Sequence, residues 1–378
     1  MAEPRAYAEE VVDAIPRWMA RRPFIVPCRH RTAGLLIFFL PLCHWLAASG
    51  RAQDNQPESL TEAQAAVAPR SDRITLHRPP PAQDMWSGPQ HEIVNGRILQ
   101  FDQEWLVYIG ADGQQHSVAS DLVEQVDVQW ANDAARQAKQ LVDRREYRAA
   151  IRALESAVKS GIPRWQQRLL IADLVRCVEA IGQPRVAGVL FLNLARSAPP
   201  LLVYADMPLT WSAQEPDASM AEQLDAWFTS SDPHARLLAA SWLLSGNRRQ
   251  EAESVLTELQ ASSIRGIALL ATLQAWRATP PTETEGRVAE WMAVRDSLLR
   301  PLQLGPTLWL AERLEATGHR ELALGQWMRI VTQHGDRYHR WQVAAGRAAG
   351  LIQAVGSEDE AQRLNAWIVE LSEPVESP

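Results

Sequence analysis

Apolar and polar positions divide the chain into three stretches of different period. Ala33 to Ala48 is an apolar run, interrupted by Pro41 and His44 and preceded by Arg29, His30 and Arg31. From Arg73 to Val128, apolar residues come in short bursts between turn residues, which predicts strands. The expected strands are Ile74–Leu76, Glu92–Phe101, Glu104–Ile109, Gln115–Val118 and Leu122–Val128, with Ala111-Asp112-Gly113 as a hairpin turn. From Trp130 onward the period becomes helical. Apolar stripes run through Ala134, Ala138 and Leu141, and through Leu170, Ile171, Leu174, Val175 and Val178. A small residue followed by a bulky one then recurs at near-constant spacing. The copies are Tyr147, Ala150, Leu154, Ala157; Gly182, Ala187, Phe191, Leu194; Gly318, Ala323, Trp327, Ile330; and Gly356, Ala361, Asn365, Ile368. A looser copy starts at Gly246, with Ala252 one residue late. The small residue lets a neighbouring helix approach, and the bulky one fills the space beside it. Asn365, polar at a bulky position, predicts a last helix with one face in water.

Prolines punctuate this pattern. Four of them, at 199, 200, 208 and 216, mark 197–217 as a long inserted loop. Thr279 to Gly286 reads as a polar loop, and Pro301 with Gly305-Pro306 predicts a break before a helix at Thr307–Thr317. The polar stretch before Arg73 reads as a flexible spacer. The apolar run reads as a secretory signal, cleaved between Ala52 and Gln53. The expected organisation is therefore an extension at 1–18 ahead of a true start at Met19, a signal at 19–52 and a spacer at 53–71. A β domain at 72–128, a helical array at 129–372 and a disordered tail at 373–378 follow.

The spacing from Tyr147 to Ala157, and its echoes after Gly182 and Gly318, resembles the tetratricopeptide repeat, a helix pair of roughly thirty-four residues. The resemblance spans about residues 130–372, although Arg145 stands where that pattern has Gly. It implies an α-solenoid in which the first helix of each pair lines a groove that holds other proteins. Gly96 to Asp102 followed by Trp105 to Tyr108 resembles the first motif of Sm-like barrels, in which a Gly bends a strand and an Asp ends it. SH3-like barrels share the outline. This second resemblance implies a small closed barrel, without the RNA-binding motif of the Sm family. The expected fold class is mainly α: an α-solenoid of degenerate helix pairs behind a small N-terminal β-barrel.

Composition refines the function classes. Hydrophobic residues make up 46% and charged residues 22%, which is ordinary for a globular chain. The formal net charge is −7, and the seven Arg and four acids of residues 1–52 take it to −10 when they leave. A nucleic-acid partner is therefore not expected. Of the 38 basic residues only Lys139 and Lys159 are lysines, which reads as codon usage. Cys28 and Cys43 fall before the cleavage point, and Cys177, inside an apolar stripe, is expected to be a buried inert thiol. The fifteen Trp read as core residues. No zinc, nucleophile-elbow, phosphate-loop or dinucleotide motif is present, and His334 with His339 lacks a completing ligand. No catalytic residue, cofactor or metal is expected.

These readings point to a non-enzymatic exported scaffold in the periplasm or cell envelope, with a protein partner in the groove. Lys139 and Arg176, set off from the apolar stripes, are the candidate groove residues. Retention of the signal would instead leave a membrane-anchored form. One alternative is an envelope carbohydrate- or ligand-binding protein or enzyme, with Trp211 or Trp86 in a site between the β domain and the 197–217 loop. Another is a structural envelope protein that assembles with itself.

Overall fold

The computed structural model describes residues 71–78, 90–213, 216, 218–335 and 338–372. The expected signal with its Ala52–Gln53 cleavage point, most of the spacer, and the tail lie outside them. Five strands open the described chain: β1 (Asp72–Arg78), β2 (Gln90–Phe101), β3 (Trp105–Gly110), β4 (Gln115–Ala119) and β5 (Val123–Asp127). All paired neighbours are antiparallel, in the order β4-β3-β2-β1-β5. β2 serves two partners. Its first half pairs with β1 and its second with β3, and Gly96 pairs with both Asp72 and Gly110. A Cβ at Gly96 would lie 2.5 Å from the Ile109 carbonyl oxygen, so glycine alone fits this crossing. Asp102 stops the strand by accepting the N–H groups of Glu104 (2.9 Å) and Trp105 (3.0 Å).

The expected bend and stop are thus in place, but the expected closure is not. β4 and β5 are the two edges and no ladder joins them, so the strands form an open sheet rather than a barrel. Packing gives the reason. The sheet's apolar face, with Ile74, Leu76, Ile98, Phe101, Leu106 and Val123, receives Trp165 from the helical part, and Leu169 and Leu202 pack against it. Helices cover the face that a barrel would cover with itself.

Thirteen α-helices follow among the described residues. The first four are α1 (Asp133–Asp143), α2 (Tyr147–Val158), α3 (Arg164–Ala180) and α4 (Pro184–Ala195). The middle five are α5 (Ala218–Phe228), α6 (Pro233–Leu243), α7 (Arg249–Leu259), α8 (Arg265–Ala275) and α9 (Thr284–Asp296). The last four are α10 (Arg300–Ala316), α11 (Arg320–Gln333), α12 (Tyr338–Ala354) and α13 (Glu358–Ser372). They pack largely as consecutive pairs. Four of the turns within pairs share one construction. Arg145, Gly182, Gly318 and Gly356 have φ of 65°, 79°, 83° and 89°. At each, the last turn of the helix is closed by two backbone bonds, as in Gly182 N–H to Glu179 O (2.9 Å) and Gln183 N–H to Val178 O (3.1 Å). Behind these turns Ala150, Leu154, Ala187, Phe191, Ala323 and Trp327 are fully buried, and Asn365 faces solvent as its polarity required.

Of the two expectations about punctuation, the break at Gly305-Pro306 is corrected, while the inserted segment takes an interior course. The described residues of segment 197–217 contain no α-helix, yet many of them are interior. Its 3-10 turn, Leu201–Asp206, packs against both α3 and α10, and Val203, Tyr204, Met207, Leu209 and Trp211 are buried. Nor does Gly305-Pro306 break a helix: α10 runs unbroken from Arg300 to Ala316. Pro301 occupies the first turn, where no N–H is needed. Burial of Leu302, Leu304, Leu308, Trp309 and Leu310 then outweighs the one bond lost at Pro306. Gly305 has a separate use, because the Trp211 indole lies where its Cβ would be.

The described tryptophans are mostly core. Trp291 and Trp327 are fully buried, and Trp276, Trp291 and Trp309 cluster with centroids 4.9–6.0 Å apart. The array also returns on itself. Arg340, near the start of α12, meets Glu179 on α3 at 2.5 Å, and Arg300, opening α10, reaches Glu124 on β5 at 3.3 Å. No described helix is long and apolar enough to cross a membrane.

Candidate functional site

Where the array returns on itself, α1, α3, β5, the 201–206 turn, the start of α10 and the end of α11 line an open-sided cavity of about 720 Å³. α1 presents Arg136, Lys139, Gln140 and Asp143, and α3 presents Leu169, Ala172, Asp173 and Arg176. Both sets have the spacing of one helix face. Asn132 fixes where α1 begins, its side chain accepting the Ala135 N–H at 3.0 Å.

Lys139 and Arg176, picked from different helices on polarity alone, are brought together by Asp173. Lys139 Nζ lies 2.7 Å from Asp173 Oδ2, and an Arg176 guanidinium nitrogen lies 2.5 Å from Oδ1. Arg176 Nε also stands 3.4 Å from Asp206 Oδ1. The Asp173 side chain is only 5% exposed and both cations are largely covered, so this is a charge quartet in the cavity wall rather than four solvated ions. Across the cavity, Glu124 is buried beside His91 Nδ1 (2.8 Å), Arg300 Nε (3.3 Å) and His77 Nδ1 (3.9 Å). Beneath the quartet, burial, with Asp173 nearby, pushes the Cys177 thiol up to about 12, and the residue is buried as its apolar stripe required. Such a thiol has no thiolate to attack with at neutral pH.

Sequence reasoning missed Asp173 and Asp206. Asp173 had a visible signal, an acid inside the apolar stripe Leu170 to Val178. Asp206 had none, since it enters the wall from an aperiodic segment. A charge reversal at Arg176 would place a third carboxylate between Asp173 and Asp206, so it tests folding as much as binding.

A second, smaller cleft of about 330 Å³ lies between the sheet and the start of the 197–217 segment, walled by Trp105, Leu201, Tyr204 and Ile264 among others. This is the place expected for the alternative ligand site, but with a different tryptophan. Trp211 is buried against Gly305 and does not line this cleft, Trp86 lies outside the described residues, and Trp105 stands at the lip. Behind the cleft, the Tyr204 hydroxyl meets His234 Nε2 at 3.0 Å, and His234 Nδ1 meets Asp232 Oδ1 at 2.9 Å. The His234 hydrogen bond, opposed by burial, holds the Asp232 carboxyl below its usual range, while burial pushes the Tyr204 phenol up. The chain of bonds fixes the Tyr204 ring in place. Among the described residues no group of three His, Cys, Asp or Glu is arranged to hold a metal ion.

No family model, no curated protein and no solved structure matches this chain.

Proposed function

We propose that this chain is a non-enzymatic interaction module of the cell envelope, exported by the 19–52 signal, which holds a partner protein at the Lys139–Arg176 cavity. The four repeated left-handed turns and the small-then-bulky spacing behind them support a degenerate tetratricopeptide-like array as its frame. The observation that carries the reading is the convergence of Lys139 and Arg176 on Asp173, on the first helices of two successive pairs, in the wall of one cavity. Charges of both signs held in a largely covered wall suit a charged partner segment, which can exchange for one ion-pair partner without leaving the other unpaired.

The test is site-specific photocrosslinking in envelope extracts of the native host. A benzophenone side chain at Gln140, which lines the cavity, is expected to capture a discrete partner, and one at exposed Leu322 is not. Arg136→Glu, at a cavity position nearly half exposed, should weaken that capture with an unchanged melting temperature. Equal capture from Gln140 and Leu322 would remove the reading. Peptide mapping of the mature N-terminus, expected at Gln53, tests the export step separately.

A further inference from the structure

β4 is an edge strand, with β3 as its only ladder neighbour among the described residues. Which of its backbone groups face out follows from the bonds that bracket the ladder. Gly110 N–H donates to Gln114 O (2.9 Å), and Ser120 N–H donates to Glu104 O (3.0 Å). Antiparallel pairing alternates, so His116 and Val118 also turn their backbone groups to β3. Gln115, Ser117 and Ala119 therefore turn theirs outward. Sheets usually guard such an edge with Lys, Pro, a bulge or a covering element. Gln115–Ala119 contains no Lys or Pro, and its register with β3 is continuous.

At Ala119 this edge runs into the smaller cleft. Trp105, the direct cross-strand partner of Ala119, is 48% exposed at the lip. The facing wall is rigid. The Tyr204 ring lies on bare Gly266, where a Cβ would stand 2.5 Å from the ring, and its hydroxyl is held by His234, which Asp232 holds in turn. Gln103 N–H donates to Ala198 O (3.1 Å) and ties the sheet to this wall. The cleft is thus formed before anything enters it, which lowers the ordering cost of binding. At its rim, Arg265 is ion-paired with Asp121, which leaves the Glu104 carboxylate as a net single negative charge.

We propose that β4 and this cleft together accept an extended peptide segment of a partner protein as a sixth strand. One bulky apolar side chain sits between Trp105 and Tyr204, and a basic neighbour meets the rim. Main-chain bonds along Gln115–Ala119 supply affinity, and the cleft supplies specificity. A second copy of β4 fits the edge less well. Self-pairing about Ser117 would bring Asp112 of each copy beside Asp121 of the other, and would leave the apolar cleft empty. The site is separate from the charged cavity, so either assignment can fail alone.

The experiment is selection of the full chain against a random dodecapeptide phage library, followed by synthesis of the enriched peptides. The enriched sequences are expected to carry a Trp, Phe or Leu anchor with Lys or Arg near it. Ser117→Pro removes an outward N–H while sparing the β3 ladder, and Trp105→Ser opens the lip. Each should weaken binding by about tenfold or more without changing the melting temperature. Methylating alternate peptide nitrogens should abolish binding to the unaltered protein, a result that needs no variant to fold. Bound peptide should protect the Ser117 and Ala119 amides from hydrogen exchange. The proposal is overturned if no peptide is enriched, or if enriched peptides bind Ser117→Pro and Trp105→Ser as tightly as the parent. It is also overturned if light scattering shows a dimer that Ser117→Pro converts to monomer, which would assign the edge to a second copy.

Discussion

Four turns of one construction hold three glycines and Arg145, and that single departure has a measurable cost. With φ at 65°, Arg145 sits in the left-handed region, where a side chain crowds its own carbonyl by roughly 1–2 kcal/mol. Arg145→Gly should therefore stabilise the chain by about 1 kcal/mol, net of the extra freedom glycine gains when unfolded. A urea midpoint series at constant slope would show it. An unchanged or lower midpoint would mean that the interactions of the Arg145 side chain outweigh the strain. Glu312 makes a second residue-level case. Burial raises its carboxyl, against the opposing pull of Arg347 and Arg277. A raised folded pKa means that the stability this group contributes is complete below its unfolded value and is lost as pH rises through the folded one. Glu312→Gln should accordingly melt higher than the parent at pH 8, with the gap closing as pH falls toward 4. A constant gap across that range would sink the assignment.

Elements were legible where local pattern and tertiary demand agreed. The five strands were placed to within about two residues at most ends, because alternation, the Asp112-Gly113 turn and the Gly96–Asp102 stop are all local signals. The helix pairs at Gly182 and Gly318 were legible for the same reason. α10 was not. Its prolines state a local preference, and the burial that overrides it comes from distant parts of the chain. The 197–217 segment read as loop because it has no period, and no period could show that it crosses the interior. Lys139 and Arg176 could be picked as polar residues beside apolar stripes, but their meeting through Asp173 is a property of two helices packed together. What secures the interior segment is Arg277. Its guanidinium donates to the carbonyls of Thr210 (2.9 Å) and Ser212 (2.9 Å) on that segment and of Ser241 (2.7 Å) on α6, and burial pushes it down to about 10. Arg277→Met fills similar space but leaves these carbonyls without that donor. It should cost about 3 kcal/mol or more and expose residues near 210 to limited proteolysis. A small loss with unchanged cleavage would show that Trp211, its apolar neighbours and the Gln274 bond to the Thr210 carbonyl hold the segment without Arg277.

At the scale of the whole molecule, the sheet and the helices share one core. The sheet is open, and its apolar face is completed by Trp165, Leu169 and Leu202, side chains that arrive from α3 and the 201–206 turn. That turn packs in its own right against α10, whose first residue reaches back to Glu124 on β5. Removing the helices would therefore strip the cover from Ile74, Leu76, Phe101 and Leu106, all essentially inaccessible to solvent in the intact chain. A closed barrel would survive that loss, and an open sheet whose apolar face has lost its cover would not. A fragment of residues 71–129 should accordingly show no cooperative melting by circular dichroism, while residues 71–372 should unfold in a single transition. Trp165→Ala, which removes the largest helical contribution to the sheet's core, should lower that one transition by about 3–5 kcal/mol rather than split it. Separate transitions for strands and helices, or a folded fragment, would show that the β part is a domain in its own right.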